Sequence, residues 1–271
     1  MAKARRCVAT LLLFCLLPFA PVNADFLSDL DIKRGKVGIQ AVEKRDAKAL
    51  RRTISNIDDP LLAKVMHWFL YTEAPKGSTF EEINDFIQAN PDWPRMAKML
   101  KHTEEAMQPD MPSAEVLAWF DARKPTSTQG WVRFGAALLE QGQKDEAVTV
   151  LRKAWVDGKF TKSQEKQFYK RFRRYLTKAD HEDRLDRLLW EGQYWPSRRM
   201  LWKVNEDLRL LAEARFLLRQ MKGNVDTAVS KVPKHLKNDP GLIYERLRWR
   251  RRKGKDTSAR ELLVNLPENL P

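Results

Sequence analysis

The amino-acid sequence predicts an all-α protein, a superhelix of tetratricopeptide-like helical hairpins. Three observations carry that expectation. Apolar residues recur at i, i+3 and i+4 along most of the chain, and the period-two alternation of a strand is nearly absent. Even Val148-Thr149-Val150 lies inside a helical stripe of Ala147, Val148, Leu151, Ala154 and Trp155. Prolines such as Pro60, Pro75, Pro91, Pro125, Pro196, Pro233 and Pro240 fall between the periodic segments, where a helix must stop or start. Finally, a glycine–alanine–leucine spacing recurs in the second half of the chain, as expected of a helical repeat.

Residues 1–24 read as a secretory signal peptide. Lys3, Arg5 and Arg6 precede an apolar run from position 7 to position 20, and Val22-Asn23-Ala24 closes it as a cleavage site. The run is too short for a comfortable membrane span, so no stable span is expected after cleavage. Cleavage removes both cysteines, Cys7 and Cys15, and with them any disulfide, thiolate metal ligand or cysteine nucleophile. It also removes three basic and no acidic residues, which lowers the formal charge from +14 to +11. Residues 25–271 are then expected to form one exported, periplasmic α-superhelical repeat domain.

Along that domain, residues 42–54 look like a degenerate turn-plus-helix unit without its glycine. Asp58-Asp59-Pro60 reads as a turn opening a helix at Leu61, and Ser78 or Thr79 with Glu81 or Glu82 as a capping box. Trp131, Phe134, Gly135, Leu138, Ala147, Leu151 and Ala154 stand at tetratricopeptide spacing, with Gly142 ending the first helix and Asp145 or Glu146 opening the second. Gly135 should let the two helices approach closely. The turn-plus-helix half recurs as Gly142/Ala147/Leu151, Gly223/Ala228/Val232 and Gly254/Ala259/Leu263. Residues 176–189 read as another degenerate copy, and residues 259–266 as a last helix with an apolar outer face through Leu262, Leu263, Val264 and Leu266.

Few motifs for chemistry survive scrutiny. His67, His102, His181 and His235 share no ligand spacing, so neither a metal site nor a cofactor is expected. The pairs Asp58-Asp59, Glu81-Glu82 and Glu104-Glu105 are adjacent, and helix neighbours do not face one another as an acid/base dyad must. No G-x-S-x-G and no phosphate-binding loop occurs. Two basic stretches, residues 166–175 and 246–253, keep helical spacing and read as solvated helix faces. Export argues against nucleic acid as their partner. The nine tryptophans can stack on sugar rings, but their apolar stripes point to packing between helices.

Some of these residues carry a resemblance. Asp59-Pro60-Leu61-Leu62-Ala63-Lys64 followed by Trp68 resembles a D-P-x-L-A-K-x-x-x-W stretch near the N-terminus of large soluble lytic murein transglycosylases. Phe80, Ile83, Phe86, Pro91, Trp93 and Pro94 match the motif that follows it, and the Asn90-Pro91-Asp92-Trp93-Pro94 turn is the most specific part. Tyr194-Trp195-Pro196 with Arg198-Arg199-Met200-Leu201 is similar to a later helix pair. The likeness covers roughly residues 26–267.

It implies the N-terminal superhelical (U-type) domain of a periplasmic enzyme that cleaves the glycan of peptidoglycan. In that family a following lysozyme-like domain supplies a glutamate in an E-S dipeptide. The glutamate protonates the glycosidic oxygen, and the sugar's own hydroxyl closes a 1,6-anhydro ring. This sequence has no Glu-Ser dipeptide and no G-L-M-Q motif, and Pro271 leaves no room for a domain of about 150 residues. No catalytic residue is carried over. The expectation is therefore a non-catalytic part of such a protein, with peptidoglycan glycan strands or a cell-wall protein as partner. The alternatives are a stand-alone scaffold binding a partner protein and, more remotely, an enzyme with an unrecognised site.

Overall fold

The computed structural model describes residues 27–264, and every regular element among them is helical. The expected signal peptide and Leu266 lie outside the described residues. Two compact units are present, one ending at Ala74 and one beginning at Pro75.

The first unit contains α1 (Asp29–Glu43), α2 (Ala47–Ile54) and α3 (Pro60–Glu73). Asp59 caps α3 by accepting the Leu62 amide at 2.6 Å, with Pro60 in the first turn, as the sequence predicts. Leu50, Met66 and Leu70 fill the core, and Gly38 of α1 meets α3 so closely that a Cβ there would stand 2.8 Å from the Met66 sulfur. The buried carboxylate of Asp31 accepts the amides of Asp58 and Asp59 at 3.1 Å each and pairs with Arg34 at 3.3 Å. Burial pushes its pKa up, but these hydrogen bonds outweigh burial and hold it below the ordinary aspartate value.

The second unit opens with α4 (Phe80–Ala89), α5 (Met96–Ala106), α6 (Ser113–Phe120), α7 (Thr128–Glu140), α8 (Lys144–Asp157) and α9 (Lys162–Phe172). It continues through α10 (Lys178–Trp190), α11 (Tyr194–Met200), α12 (Glu206–Arg219), α13 (Val225–Lys231), α14 (Pro240–Arg252) and α15 (Asp256–Val264). Thr79 and Glu82 form the capping box of α4. The expected hairpin is α7–α8. Leu138, Ala147, Leu151 and Ala154 are buried in it, and a Cβ on Gly135 would stand 2.8 Å from Leu151 Cδ2. Leu263 and Val264 are exposed on α15, in line with the apolar outer face expected there.

Five tight turns share one geometry. Arg45, Gly142, Gly192, Met221 and Gly254 each sit one residue past a helix cap with φ between 53° and 78°. In each, the left-handed residue's amide bonds the carbonyl three residues back, and the next amide bonds the carbonyl five back. Gly142 and Gly254 occupy the predicted place, whereas Gly223 does not. The helix α12 stops early enough that Met221, not Gly223, falls at the left-handed position, with φ 58°. Residues 176–189 hold a short connection and one helix capped by Thr177, as a turn-plus-helix unit without a glycine requires; a further left-handed turn follows at Gly192.

The helices α8, α10, α12 and α14 pack in succession, and arginines pin them together. Arg184 on α10 is 1 % exposed; its Nη1 donates to the Trp155 and Gly158 carbonyls at the end of α8, and its Nη2 pairs with Glu165 of α9 at 3.2 Å. Its guanidinium lies 4.5 Å from the centre of the Trp155 ring. Arg187 donates to Val156 and Gly158 carbonyls at 2.6 and 3.1 Å. One helix further on the device recurs. Arg219 on α12 donates to the Leu189 and Trp190 carbonyls that end α10 and pairs with buried Glu245 of α14 at 2.9 Å. Arg215 covers the Trp190 ring at 5.2 Å and pairs with Asp186 at 2.6 Å. Arg184, Arg187 and Arg219 thus donate to carbonyls at helix ends, while Arg215 pairs with a carboxylate. Burial lowers the Arg184 pKa to about 10, so the group still carries its charge at neutral pH.

Replacing Arg184 by Met leaves Glu165 buried with one cation fewer and strips two carbonyls of a donor. Urea unfolding should show a loss of about 3–5 kcal/mol. Replacing Arg171, whose pair with Glu140 is half-exposed, should cost less than about 1 kcal/mol. A second expectation concerns pH. The indole of Trp155 donates to His181 Nδ1 at 3.0 Å, so this nitrogen must be unprotonated. Burial, with Lys203 and Arg184 nearby, lowers the His181 pKa against the smaller opposing pull of Asp180. The unfolded chain then takes up this proton at a higher pH than the folded one, so stability falls as pH drops below about 6.5. The decline in urea midpoint from about pH 7.5 to about pH 5.5 should be shallower in His181→Gln.

Candidate binding groove

Trp195 and Trp202 stand seven positions apart, about two helical turns, and both line one groove. Pro196 sits in the first turn of α11, where its missing amide costs nothing. The short helix ends in a 3-10 turn, Leu201–Lys203, that carries Trp202. Ser197, Met200 and Leu201 point into the core, and this anchors the segment with its other face outward. Trp195 is 71 % exposed and Trp202 85 %. Tyr194 braces Trp195 edge-to-face at 5.1 Å and itself packs on Phe216 of α12 at 5.1 Å.

Between these indoles runs a groove of about 500 Å³, lined further by Arg198, Arg199, Arg209 and Glu213, with Leu201 at its base. Arg199 is fixed by a two-pronged bond to Glu165, Nε to Oε1 at 3.0 Å and Nη2 to Oε2 at 2.9 Å. Glu165 also holds Arg184, so one carboxylate answers two guanidinium groups. Arg198 pairs with Glu213 at the half-exposed rim. The Nε of Arg209 is shielded from solvent and has no hydrogen-bond partner. The lining carries three cations against one anion. It can grip a flat or apolar body between the indoles and an anion at the arginines. Its only carboxylate is already engaged by Arg198, and no nucleophile lines it, so the arrangement suits binding.

A second groove, of about 630 Å³, lies at the start of α7, lined by Lys101, Thr126, Gln129, Trp131, Lys153 and Lys159 among others. Lys153 pairs with Asp157 at 2.6 Å and Lys101 with Glu105 at 3.7 Å. Glu104 is buried beneath. Its carboxylate accepts the Thr126 amide at 2.9 Å, the Ser127 amide at 2.7 Å and the Thr126 hydroxyl at 3.1 Å. It anchors the start of α7. Glu104 and Glu105 point apart, as their adjacency predicts.

The histidines are also separate. His67 Nδ1 lies 3.0 Å from the Ala63 carbonyl, His181 meets Trp155, and His235 lies 3.5 Å from Asp207. No cluster able to hold a metal ion exists among the described residues. Of the basic stretches, residues 166–175 bury Phe168 and Phe172, and residues 246–253 lie on α14. Packing between helices describes Trp119 and Trp155 but not Trp195 and Trp202, which sequence reasoning assigned to the same role. The available signal was their seven-residue spacing around two arginines. The chain matches no protein-family model, no curated protein and no solved structure.

If the two groove tryptophans serve binding, folding should hardly notice them. Trp195→Ala and Trp202→Ala should each change unfolding free energy by less than about 0.5 kcal/mol. Trp155→Ala, at a fully buried ring, should cost about 3–5 kcal/mol in the same urea titration.

Proposed function

We propose that this chain is a non-catalytic, glycan-binding helical module of periplasmic peptidoglycan turnover, of the kind that forms the superhelical part of soluble lytic transglycosylases. The observation that carries the reading is the groove between Trp195 and Trp202, set among arginines. Indole faces stack on sugar rings, and peptidoglycan adds carboxylates that guanidinium groups can bind. Trp195, Arg198, Arg199 and Leu201 of the groove belong to the Tyr194–Leu201 stretch that carries part of the resemblance. The recurring left-handed turns and the α8, α10, α12, α14 succession support a helical repeat that winds into a superhelix. Among the described residues no helix is long and apolar enough to cross a membrane. Export through residues 1–24 would bring the chain to the cell wall.

Co-sedimentation of the purified chain with murein sacculi tests this. Binding should be saturable, and the Trp195→Ala/Trp202→Ala double variant should bind at least about tenfold more weakly, on the order of 1.4 kcal/mol. The supernatant should contain no anhydro-muropeptides. Their release would make the chain an enzyme. Sacculus binding indifferent to both tryptophans would remove the groove from the account.

A further inference from the structure

We propose that the Trp195–Trp202 groove recognises a carboxylate-bearing glycopeptide, and that Glu213 occupies the carboxylate position on Arg198 until that ligand displaces it. The proposal rests on the glycan-binding reading above and names the feature of the ligand that the groove selects.

Four observations lead to it. First, the wall of the groove has a surplus of guanidinium. Arg199 and Arg184 share Glu165, so the buried cluster behind the wall keeps one positive charge uncompensated. Second, Arg209 lines the same groove, and its Nε–H, shielded from water behind the surface, has no acceptor. A shielded donor without a partner is costly, and a ligand that shifts the Arg209 side chain can supply the acceptor. Third, the protein already seats a carboxylate against this wall, because Glu213 holds Arg198. A site that accommodates its own carboxylate has the shape and charge for another. Fourth, that internal pair is weakly held. Both side chains are close to half exposed, at 41 % and 44 %, and exposed ion pairs contribute little. An incoming carboxylate that also gains the indole faces and the Arg209 donor can therefore replace Glu213 at small cost.

The two tryptophans line a volume of about 500 Å³, within the usual range for small-molecule sites. In this arrangement Glu213 acts as a selectivity element. A neutral saccharide must bind beside an undisturbed Arg198–Glu213 pair and leaves Arg209 unsatisfied, so it gains only the indole contacts.

Isothermal titration of the purified chain with soluble probes tests the idea. Muramyl dipeptide should bind at least about tenfold more tightly than neutral chitotriose, with an affinity that falls as salt rises. Glu213→Gln removes the internal competitor and should tighten muramyl dipeptide about three- to tenfold while leaving chitotriose unchanged. Arg209→Met should weaken muramyl dipeptide selectively, and it keeps the proposal testable should Glu213→Gln fail to fold. N-acetylmuramic acid and an acetylated peptide without the sugar separate the two sources of carboxylate; tighter binding of N-acetylmuramic acid than of chitotriose supports the proposal, and binding of the sugar-free peptide as tight as that of muramyl dipeptide would overturn it. Equal affinity for chitotriose and muramyl dipeptide would overturn it. So would an unchanged or weakened affinity for muramyl dipeptide in a folded Glu213→Gln, or tryptophan-dependent binding to phosphatidylglycerol vesicles with no response to soluble probes. Sacculus binding competed equally by neutral glycan would leave the proposed function standing and remove this inference. Carboxylate-dependent binding of soluble probes without any sacculus binding would do the reverse.

Discussion

The second unit depends on arginines that meet the carbonyl ends of neighbouring helices. A helix of a dozen residues leaves four carbonyls without internal partners, and stacking such helices buries many of those ends. Arg184 and Arg187 satisfy the end of α8, and Arg219 satisfies the end of α10. A charged donor deep in a protein needs its own counter-ion, and Glu165 and Glu245 supply it from further helices. One set of contacts thus gives donors to helix-end carbonyls and counter-ions to the buried cations. Gly241 reflects the same constraint, because a Cβ there would stand 2.1 Å from the Arg215 guanidinium carbon.

The groove inherits its geometry from this network. Glu165 reaches back to Arg184 in the core and forward to Arg199 at the surface, so the short helix α11 is tied to the arginine ladder. With Ser197 and Met200 buried beneath, the Trp195 and Trp202 faces have nowhere to point but outward. Exposed indoles on a tethered segment lose little conformational freedom when they meet a ligand, which is the condition for useful affinity.

Buried carboxylates in this protein are structural. Asp31 receives two backbone amides, Glu104 receives the amides that open α7, and Glu165 and Glu245 each hold two arginines. A proton donor in glycoside cleavage has to sit beside a sugar oxygen with its proton free to leave. Each of these four is instead held by donors from within the fold.

The sequence by itself determined the helical class, the starts of α3 and α4 and the α7–α8 hairpin. Those features depend on local chemistry, such as Asp59-Pro60 at α3, the Thr79–Glu82 box at α4 and Gly142 past α7. It misplaced the turn at Gly223, because the exact end of α12 is set by packing, and Met221 accepts the left-handed position once that end is fixed. Tertiary structure alone decided which arginines are buried and which tryptophans are not. Arg184 and Arg198 are both arginines on helices, and Trp155 and Trp195 are both tryptophans on helices. Their fates diverge because burial depends on which helix arrives opposite, and the partner residues, Trp155 to Arg184 and Trp190 to Arg215, stand 25 to 29 positions apart. No local pattern records a neighbour at that distance.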